Sequence, residues 1–315
     1  MRRSEIDPGS SLAFEQHGEG HGKRALITGM GGFTGRYLAQ ELREAGYRVF
    51  GTALSGEAQG PDMFAVDLCE PDDVAAMVEQ VQPDVVAHLA GIAFVAHGDA
   101  DQIYRVNVIG TRNLLAALSA CEHPCSAVLL ASSANIYGNA KVAVIDETVA
   151  PAPANDYAVS KLAMEYMARL WMDKLPIIIA RPFNYSGRGQ VEQFLLPKIV
   201  GHFQRQAATI ELGNLAVARD FSDVRTVARS YRRLLAASPA GQAFNICSGE
   251  SHSIGEIIDV MSGLAGYRIN VEVNPALVRT NEVLELTGCR ARLTSVIGEL
   301  PRTALADTLR WMYHA

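Results

Sequence analysis

Two residues four apart carry the first chemical signal. In "NDYAVSK", Asn155 to Lys161, Tyr157 precedes Lys161 by one helical turn. Residues at i and i+4 lie on one helix face, so the lysine ammonium can approach the phenol. A free tyrosine has a pKa of about 10, and a nearby positive charge favours the phenolate and lowers that value. The pair then makes a proton donor or acceptor usable near neutrality. Asn155 or Asp156 supplies an N-cap for the helix. The blander reading is an exposed tyrosine with Lys161 paired to Glu165, because Y-x-x-x-K arises often by chance.

A second group stands in "LLASSANIYG". Ser132 and Ser133 end an apolar run. In a parallel sheet that is the carboxyl edge, where ligands bind. A serine hydroxyl there can hold a substrate oxygen; alone, it is equally a strand-end cap. A third group is the turn "TGMGGFTG". Gly29, Gly32 and Gly35 are spaced G-x-x-G-x-x-G, a variant of the dinucleotide fingerprint. One glycine permits the tight turn, one lets backbone approach a pyrophosphate, and one lets the helix pack on the strand. Without a ligand the same glycines make only a tight turn. The acidic residue that would hold an adenosine ribose is absent, since the second strand ends in Thr52, Ala53 and Leu54. Arg36, directly after the last glycine, can reach a 2′-phosphate and tips the cofactor from NAD(H) toward NADP(H); it is also an ordinary solvated helix residue. Asp67 and Leu68, after the third strand, would sit beside the adenine, or Asp67 would cap a turn.

These groups need elements to hold them. "RALITGMGGFTGRYLAQELREAGYRVFGTAL" reads as strand, glycine turn, amphipathic helix, Gly46 stop and strand. The apolar runs "MFAVDL", "DVVAHLAG", "SAVLLASS" and "LPIIIARP" alternate with helices expected over Val74–Val81, Gln102–Leu118 and Tyr157–Trp171. This alternation predicts an α/β fold, a Rossmann-type doubly wound parallel sheet. After Arg181 the pattern loosens. The length of 315 residues suits one large domain, or a main domain with a smaller lobe. The net charge is −6 and the basic residues are scattered, which argues against nucleic acid or an anionic membrane and for a small-molecule partner. Cys69, Cys121, Cys125, Cys247 and Cys289 show no metal-ligand spacing and read as reduced thiols in a cytoplasmic protein. No metal is expected. The first 22 residues, rich in Gly, Ser, Glu and His, read as a flexible leader in which His17 and His21 are solvated.

Taken in order, "TGMGGFTG", Asp67–Leu68, "HLAG" at His88, "NVIGT" at Asn107, "SSANIYG", "YAVSK", "RPFN" at Arg181, "RDFSDV" at Arg219 and "FNICSGESHSIGEII" resemble the extended short-chain dehydrogenase/reductase family. That family comprises the nucleotide-sugar epimerases, dehydratases and reductases. The resemblance implies a dinucleotide-binding domain over 23–183, with 215–247 returning to it, and a nucleotide-sugar-binding lobe from 184–214 and 248–315. It implies that Tyr157 is the catalytic acid/base, Lys161 its activator and a nicotinamide-ribose ligand, and Ser133 the hydroxyl on the reacting carbonyl. Ser133 rather than Ser132 is chosen because the family places this residue four before the tyrosine of "YG", here Tyr137. Gly29, Gly32, Phe33, Thr34, Gly35, Arg36, Asp67, Leu68, Leu89, Ala90, Gly91 and Asn107 are the implied cofactor contacts, Asn107 as a helix-distorting asparagine. His88 is implied to be structural. Asn135, Asn184, Arg219 and Arg279 are the implied substrate contacts.

Family members that run a 4,6-dehydration carry an Asp-Glu pair after the serine or threonine. Here Ala134 and Asn135 stand in those places. Two reactions remain: a 4-epimerase with its own retained NAD, and a 4-reductase that takes hydride from exchanging NAD(P)H. "RPFNYSGRGQ", "ARDFSDV" and "NPALVRTNEVLELTGCRARL" are most similar to the reductases acting on GDP-6-deoxy-4-keto-mannose to form GDP-rhamnose, with a heptose analogue also open. A non-enzymatic dinucleotide sensor is the reading from another class, but such relatives typically lack the Tyr/Lys pair. Three positions depart from the family: Arg188 replaces a proline, Arg225 precedes "TV" without the usual aspartate, and Glu299 replaces a tryptophan. The resemblance further implies a homodimer through the helices Gln102–Leu118 and Tyr157–Trp171.

Overall fold

The computed structural model describes residues 18–315 apart from 55, 57, 59, 94–98 and 276–284. The chain begins with β1 (Arg24–Thr28), α1 (Phe33–Glu44), β2 (Arg48–Ala53), β3 (Met63–Ala65), α2 (Pro71–Val81) and β4 (Val85–His88). It continues through α3 (Ala100–Tyr104), a π-helical stretch at Arg105–Gly110, α4 (Thr111–Ala120), β5 (Ala127–Ala131), a 3-10 turn at Ala134–Tyr137, β6 (Val144–Ile145), α5 (Asp156–Arg169) and β7 (Ile177–Pro182). Next come β8 (Asn184–Ser186), α6 (Leu195–Gln204), β9 (Thr209–Leu212), β10 (Ala218–Asp223), α7 (Val224–Ala237) and β11 (Ala243–Ile246). The rest is β12 (Ser251–Ser253), α8 (Ile254–Ala265), β13 (Asn270–Val273), β14 (Glu285–Gly288), α9 (Ala291–Ile297) and α10 (Leu305–Tyr313).

Seven strands pair in parallel in the order β11-β7-β5-β4-β1-β2-β3. Every residue of β4 and β7 is buried, as expected where helices cover both faces of a parallel sheet. On one face Leu38 and Leu42 of α1 meet Tyr231 and Leu234 of α7. On the other, Val74 and Val78 of α2, Leu114 and Leu118 of α4 and Met164 of α5 close the second layer. The strand order reverses between β1 and β4, which opens a crevice at their carboxyl ends.

Beside this domain, β6, β8, β10, β12 and β14 form a smaller sheet. Leu196, Phe203, Ile257, Met261 and Leu309 build a separate core among α6, α8 and α10.

Local chemistry sets the element ends. Pro71 opens α2 with Asp72 and Asp73 in its first turn, both favourable at a helix N-terminus. Gly46, at φ +93°, follows α1 and turns the chain into β2.

Four details differ from the sequence expectations. Residues 18–22, assigned to the leader, form a turn held by the Gly20 N–H to Ala45 O hydrogen bond and by a Glu19–Arg232 ion pair of 2.8 Å; His21 is exposed there and His17 lies outside the described residues. The helix expected over Gln102–Leu118 is interrupted by the π stretch. Strand β10, placed in the crossing over 215–247, pairs instead with β8, β12 and β14, so the return begins at Val224. Helix α9, placed in the lobe, packs Leu293 and Ile297 with the α1/α7 layer. Both reassignments are long-range pairings that local periodicity does not encode. Among the described residues no helix is long and apolar enough to cross a membrane, and no cluster of metal-ligating side chains is present.

Candidate active site

A cavity of about 580 Å³ opens where β1, β4, β5 and β7 end. Its wall brings together Gly29, Gly32, Phe33, Thr34, Gly35, Arg36, Leu89, Gly91, Ser133, Asn135, Tyr157, Lys161 and Asn184. Ala90, Asp67, Leu68, Asn107 and Arg219 do not line it, and Arg279 lies outside the described residues.

The glycine turn is shaped by backbone proximity. Gly29 has φ +71°, and a Cβ on it would stand 2.9 Å from the Ala90 Cα. A Cβ on Gly35 would stand 2.5 Å from the Gly29 carbonyl oxygen. Ala90 thus walls the turn from behind, its N–H donating to Thr28 Oγ1 at 3.2 Å. Thr52 Oγ1 accepts from the Gly29 N–H at 3.1 Å, so the end of β2 braces the turn. Helix α1 starts from Gly32 with no side-chain cap bond, and its first N–H groups meet no side-chain acceptor there. A cradle of glycines at the uncapped start of a 12-residue helix fits the phosphates of a dinucleotide. Leu54, just past β2, is 64% exposed and supplies no carboxylate. Arg36, on the cavity lip, donates from Nη2 to Gly189 O at 3.2 Å.

Asp67 acts as a turn residue, Oδ1 accepting from the Cys69 N–H at 2.9 Å. Leu68 is buried, and its carbonyl accepts from Asn113 Nδ2 at 2.9 Å. Asn107 is fully buried; Oδ1 accepts from the Ile92 N–H at 2.9 Å while Nδ2 donates to Ser160 Oγ at 3.0 Å. These bonds pin the π stretch to both the loop after β4 and to α5. His88 bridges Thr28 Oγ1 and Thr111 Oγ1 at 2.7 and 2.8 Å. Burial, with the Lys161 charge adding to it, drives the His88 pKa down to about 3, so this histidine is a neutral structural bridge.

Asn155 caps α5 through Oδ1, 2.9 Å from the Ala158 N–H. The helix presents half-buried Tyr157 and buried Lys161 to the cavity. Ser133 stands beside Tyr157 on the cavity wall, near enough to lower the phenol pKa. The expectation that Lys161 lowers the phenol pKa is corrected: burial pushes Tyr157 up to about 12, opposed by the Ser133 hydrogen bond. The physical reason is direction, because Lys161 Nζ donates to Ala131 O at 2.8 Å. Burial also brings the Lys161 ammonium down to about 8, with Glu165 opposing it. The alternative Lys161–Glu165 pairing gives way to a Glu165–Arg181 ion pair of 2.6 Å. At neutral pH the site therefore holds a protonated phenol, a neighbouring hydroxyl and a buried ammonium.

On the lobe side, exposed Asn184 lines the cavity, its Nδ2 donating to Asp220 O at 3.4 Å. Arg219 sits on β10 with Nη1 donating to Ala218 O at 2.8 Å. Asn135 donates its N–H to Ser133 Oγ at 3.1 Å. The reading from residue types missed Phe183, Tyr185, Phe194, Phe221 and Tyr231, all on the cavity wall. Tyr185 stacks on Phe33 with centroids 6.1 Å apart, and its hydroxyl meets Thr34 Oγ1 at 2.8 Å. Phe183 and Tyr185 flank Asn184 in "RPFNY", a signal that was available. Tyr231 sits in a plain helix and carried none.

Comparison with known proteins agrees with this geometry. The model of the NAD dependent epimerase/dehydratase family matches residues 25–247. GDP-6-deoxy-D-talose 4-dehydrogenase of Aggregatibacter actinomycetemcomitans is 33% identical, covering 92% of this chain and 97% of its own. GDP-6-deoxy-D-mannose reductase of Pseudomonas aeruginosa is 34% identical, over 91% and 95%. Among solved structures, a protein of Burkholderia cenocepacia J2315 described as a candidate epimerase shows 53% identity and a TM-score of 0.89, covering 93% of this chain and 98% of its own. RMD from Pseudomonas aeruginosa complexed with NADPH shows 32% identity and a TM-score of 0.82, over 93% and 98%. With a doubly wound sheet, a glycine cradle and a Ser-Tyr-Lys cavity at its switch point, the chain belongs to the NAD dependent epimerase/dehydratase family, the extended short-chain dehydrogenase/reductases, and is an NAD(P)-dependent oxidoreductase.

Proposed function

We propose that the protein reduces the C4 carbonyl of a GDP-6-deoxy-4-keto sugar, converting GDP-6-deoxy-4-keto-D-mannose, or a heptose analogue, to the GDP-D-rhamnose-type alcohol. The observation that carries this reading is that Ser133, Tyr157 and Lys161 line one cavity with the glycine cradle. Ala134 and Asn135 follow Ser133 where a dehydration would need an acid and a base. Both curated relatives bear names of GDP-6-deoxyhexose enzymes.

The nicotinamide cofactor, when bound, supplies the hydride that reduces C4. Tyr157, whose phenol holds its proton to about pH 12, gives that proton to the C4 oxygen as negative charge develops there. The Ser133 hydroxyl holds the same oxygen as a preorganised dipole. The Lys161 ammonium, steadied by the Ala131 carbonyl, would take a ribose hydroxyl of the cofactor. Gly29, Gly32, Phe33, Thr34, Gly35 and Arg36 would hold the phosphates and adenosine, and Asp67 and Leu68 would serve the adenine end. Leu89, Ala90 and Gly91 would back the nicotinamide half, with Asn107 bonded to the same loop. Asn135 faces the sugar, while Asn184, Arg219 and Arg279 serve the diphosphate. NADP(H) is the preferred cofactor, a reading supported by the missing β2 carboxylate, by Arg36 and by the NADPH-bound relative.

Epimerisation at C4 with retained NAD is the second reading, favoured by the Burkholderia relative. One assay separates them. NADPH and NADH absorbance is followed with enzymatically generated GDP-6-deoxy-4-keto-mannose, beside a UDP-glucose epimerisation control. Oxidation in step with product supports the reductase. An unchanged cofactor pool with interconversion in the control overturns it.

We further propose a cytoplasmic homodimer. All five cysteines are free thiols. Ile109 in the π stretch and Val159, Tyr166 and Leu170 in or just past α5 are large apolar side chains left 46%, 38%, 54% and 78% exposed, a patch suited to a second copy of this chain. A monomeric mass in sedimentation at micromolar concentration would refute the dimer.

A further inference from the structure

A buried charged network lies directly behind the reacting groups, and the chemistry above leaves it unused. Glu165 is 2% exposed and Arg181 5%. Arg181 Nη2 donates to Glu165 Oε2 at 2.6 Å and its Nε donates to Oε1 at 3.0 Å, a two-point grip that fixes the carboxylate plane. Oε1 also accepts from Ser132 Oγ at 2.5 Å. The third guanidinium nitrogen, Nη1, donates to Tyr137 Oη at 2.9 Å.

Three elements are thereby tied at one carboxylate: α5 through Glu165, β7 through Arg181 and the end of β5 through Ser132. Ser132 precedes Ser133, and Lys161 stands one helical turn before Glu165. The carboxylate therefore sets the distance between the strand that carries the serine and the helix that carries Tyr157 and Lys161. A buried ion pair adds little net stability compared with apolar packing, so its retention here calls for another role.

We propose that Glu165, clamped by Arg181, is a positioning residue for the proton transfer: it holds the Ser132–Ser133 strand end against α5 and keeps a negative charge behind Lys161. The proposal rests on the Ser133/Tyr157/Lys161 reading above. The charged and titratable groups facing Glu165 are Lys161 on its own helix, Arg181 on β7 and Tyr137 in the 3-10 turn. Lys161 is faced in turn by Glu165 and by His88 on β4. Glu165 is the anionic group among them, and it favours the ammonium.

The test uses three variants of the full chain, each assayed for ketone reduction across pH. Glu165→Gln removes the charge and leaves Arg181 and Lys161 unbalanced, so the ammonium is lost earlier. The alkaline limb of kcat is expected to move to lower pH by about one unit or more. Ser132→Ala keeps the ion pair and the fold while cutting the strut. Its kcat is expected to fall about tenfold or more, with KM for cofactor and sugar unchanged, because misplacement of reacting groups by about 1 Å is costly. Tyr157→Phe is the control. If it retains turnover, the Ser-Tyr-Lys reading itself fails. If it is inactive while Glu165→Gln keeps the wild-type limb and Ser132→Ala keeps the wild-type kcat, the positioning role alone is overturned. Should Glu165→Gln fail to fold, Ser132→Ala decides by the same criterion.

Discussion

The Arg36 guanidinium donates to the Gly189 carbonyl at 3.2 Å, joining the first turn of the cofactor helix to the loop that follows β8. The neighbouring Tyr37 hydroxyl donates to Arg188 O at 2.8 Å. The loop that closes one side of the cavity is therefore anchored on the helix whose N-terminus opens onto it.

Arg36→Ala is expected to raise KM for NADPH by about ten- to a hundredfold, since one charge-assisted contact with a phosphate is worth roughly 1.5–3 kcal/mol, and to leave KM for NADH nearly unchanged. Steady-state kinetics with both cofactors checks this. Equal losses would place its role in the loop rather than at a 2′-phosphate.

Gly35→Ala puts a Cβ 2.5 Å from Gly29 O and 2.7 Å from Met30 Cα, both backbone atoms. Backbone cannot rotate away, so α1 must lift from the turn. The variant should lose about 1–3 kcal/mol of stability and bind cofactor weakly. Thermal denaturation and fluorescence titration with NADPH report the two effects.

Arg188 docks the C-terminal helix. Its Nε donates to Trp311 O at 2.5 Å and its Nη2 to His314 O at 2.9 Å. Trp311 lies between this guanidinium, 5.2 Å from the ring centroid, and that of Arg225 at 3.8 Å. Arg225 in turn is gripped by Asp223 at 2.6 Å. Arg188→Ala should cost about 1–3 kcal/mol, read as a lower midpoint in urea.

His88 links stability to pH. Its folded pKa is about 3, against about 6.5 for a free histidine. Below about 6.5 the unfolded chain binds a proton that the folded chain refuses, so stability is complete above that value and falls as pH drops toward 3. The slope from this residue is about 1.4 kcal/mol per pH unit. Urea titrations between pH 5 and 6.5 should show a shallower slope for His88→Gln than for the wild type.

Much of this was readable from the sequence because it is local. The strand-turn-helix around Gly29, Gly32 and Gly35, the cap at Asn155, and Tyr157 and Lys161 on one face depend on neighbours within about two helical turns, a range over which backbone geometry is set. The alternation of apolar runs likewise predicted the doubly wound sheet, since a strand covered on both faces must be apolar throughout. Asn107, marked by its motif, lies in the π-helical stretch and bonds the loop after β4 rather than lining the cavity.

What the tertiary structure decided is what depends on distant partners and on collective burial. Helix geometry alone suggests that Lys161 acidifies Tyr157; in the fold, burial outweighs that pull and the lysine turns to Ala131 O. Glu165 and Arg181 are 16 residues apart, and Arg188 meets Trp311 across 123; no periodicity registers such pairs. Tyr185 reaches Thr34 only because β8 is carried beside α1 by the crossing of the whole sheet. The sequence by itself determined which groups can transfer a proton and which turn can cradle phosphates. Their protonation states and their supports were decided by folding, because desolvation and long-range hydrogen bonds arise only once the chain has closed on itself.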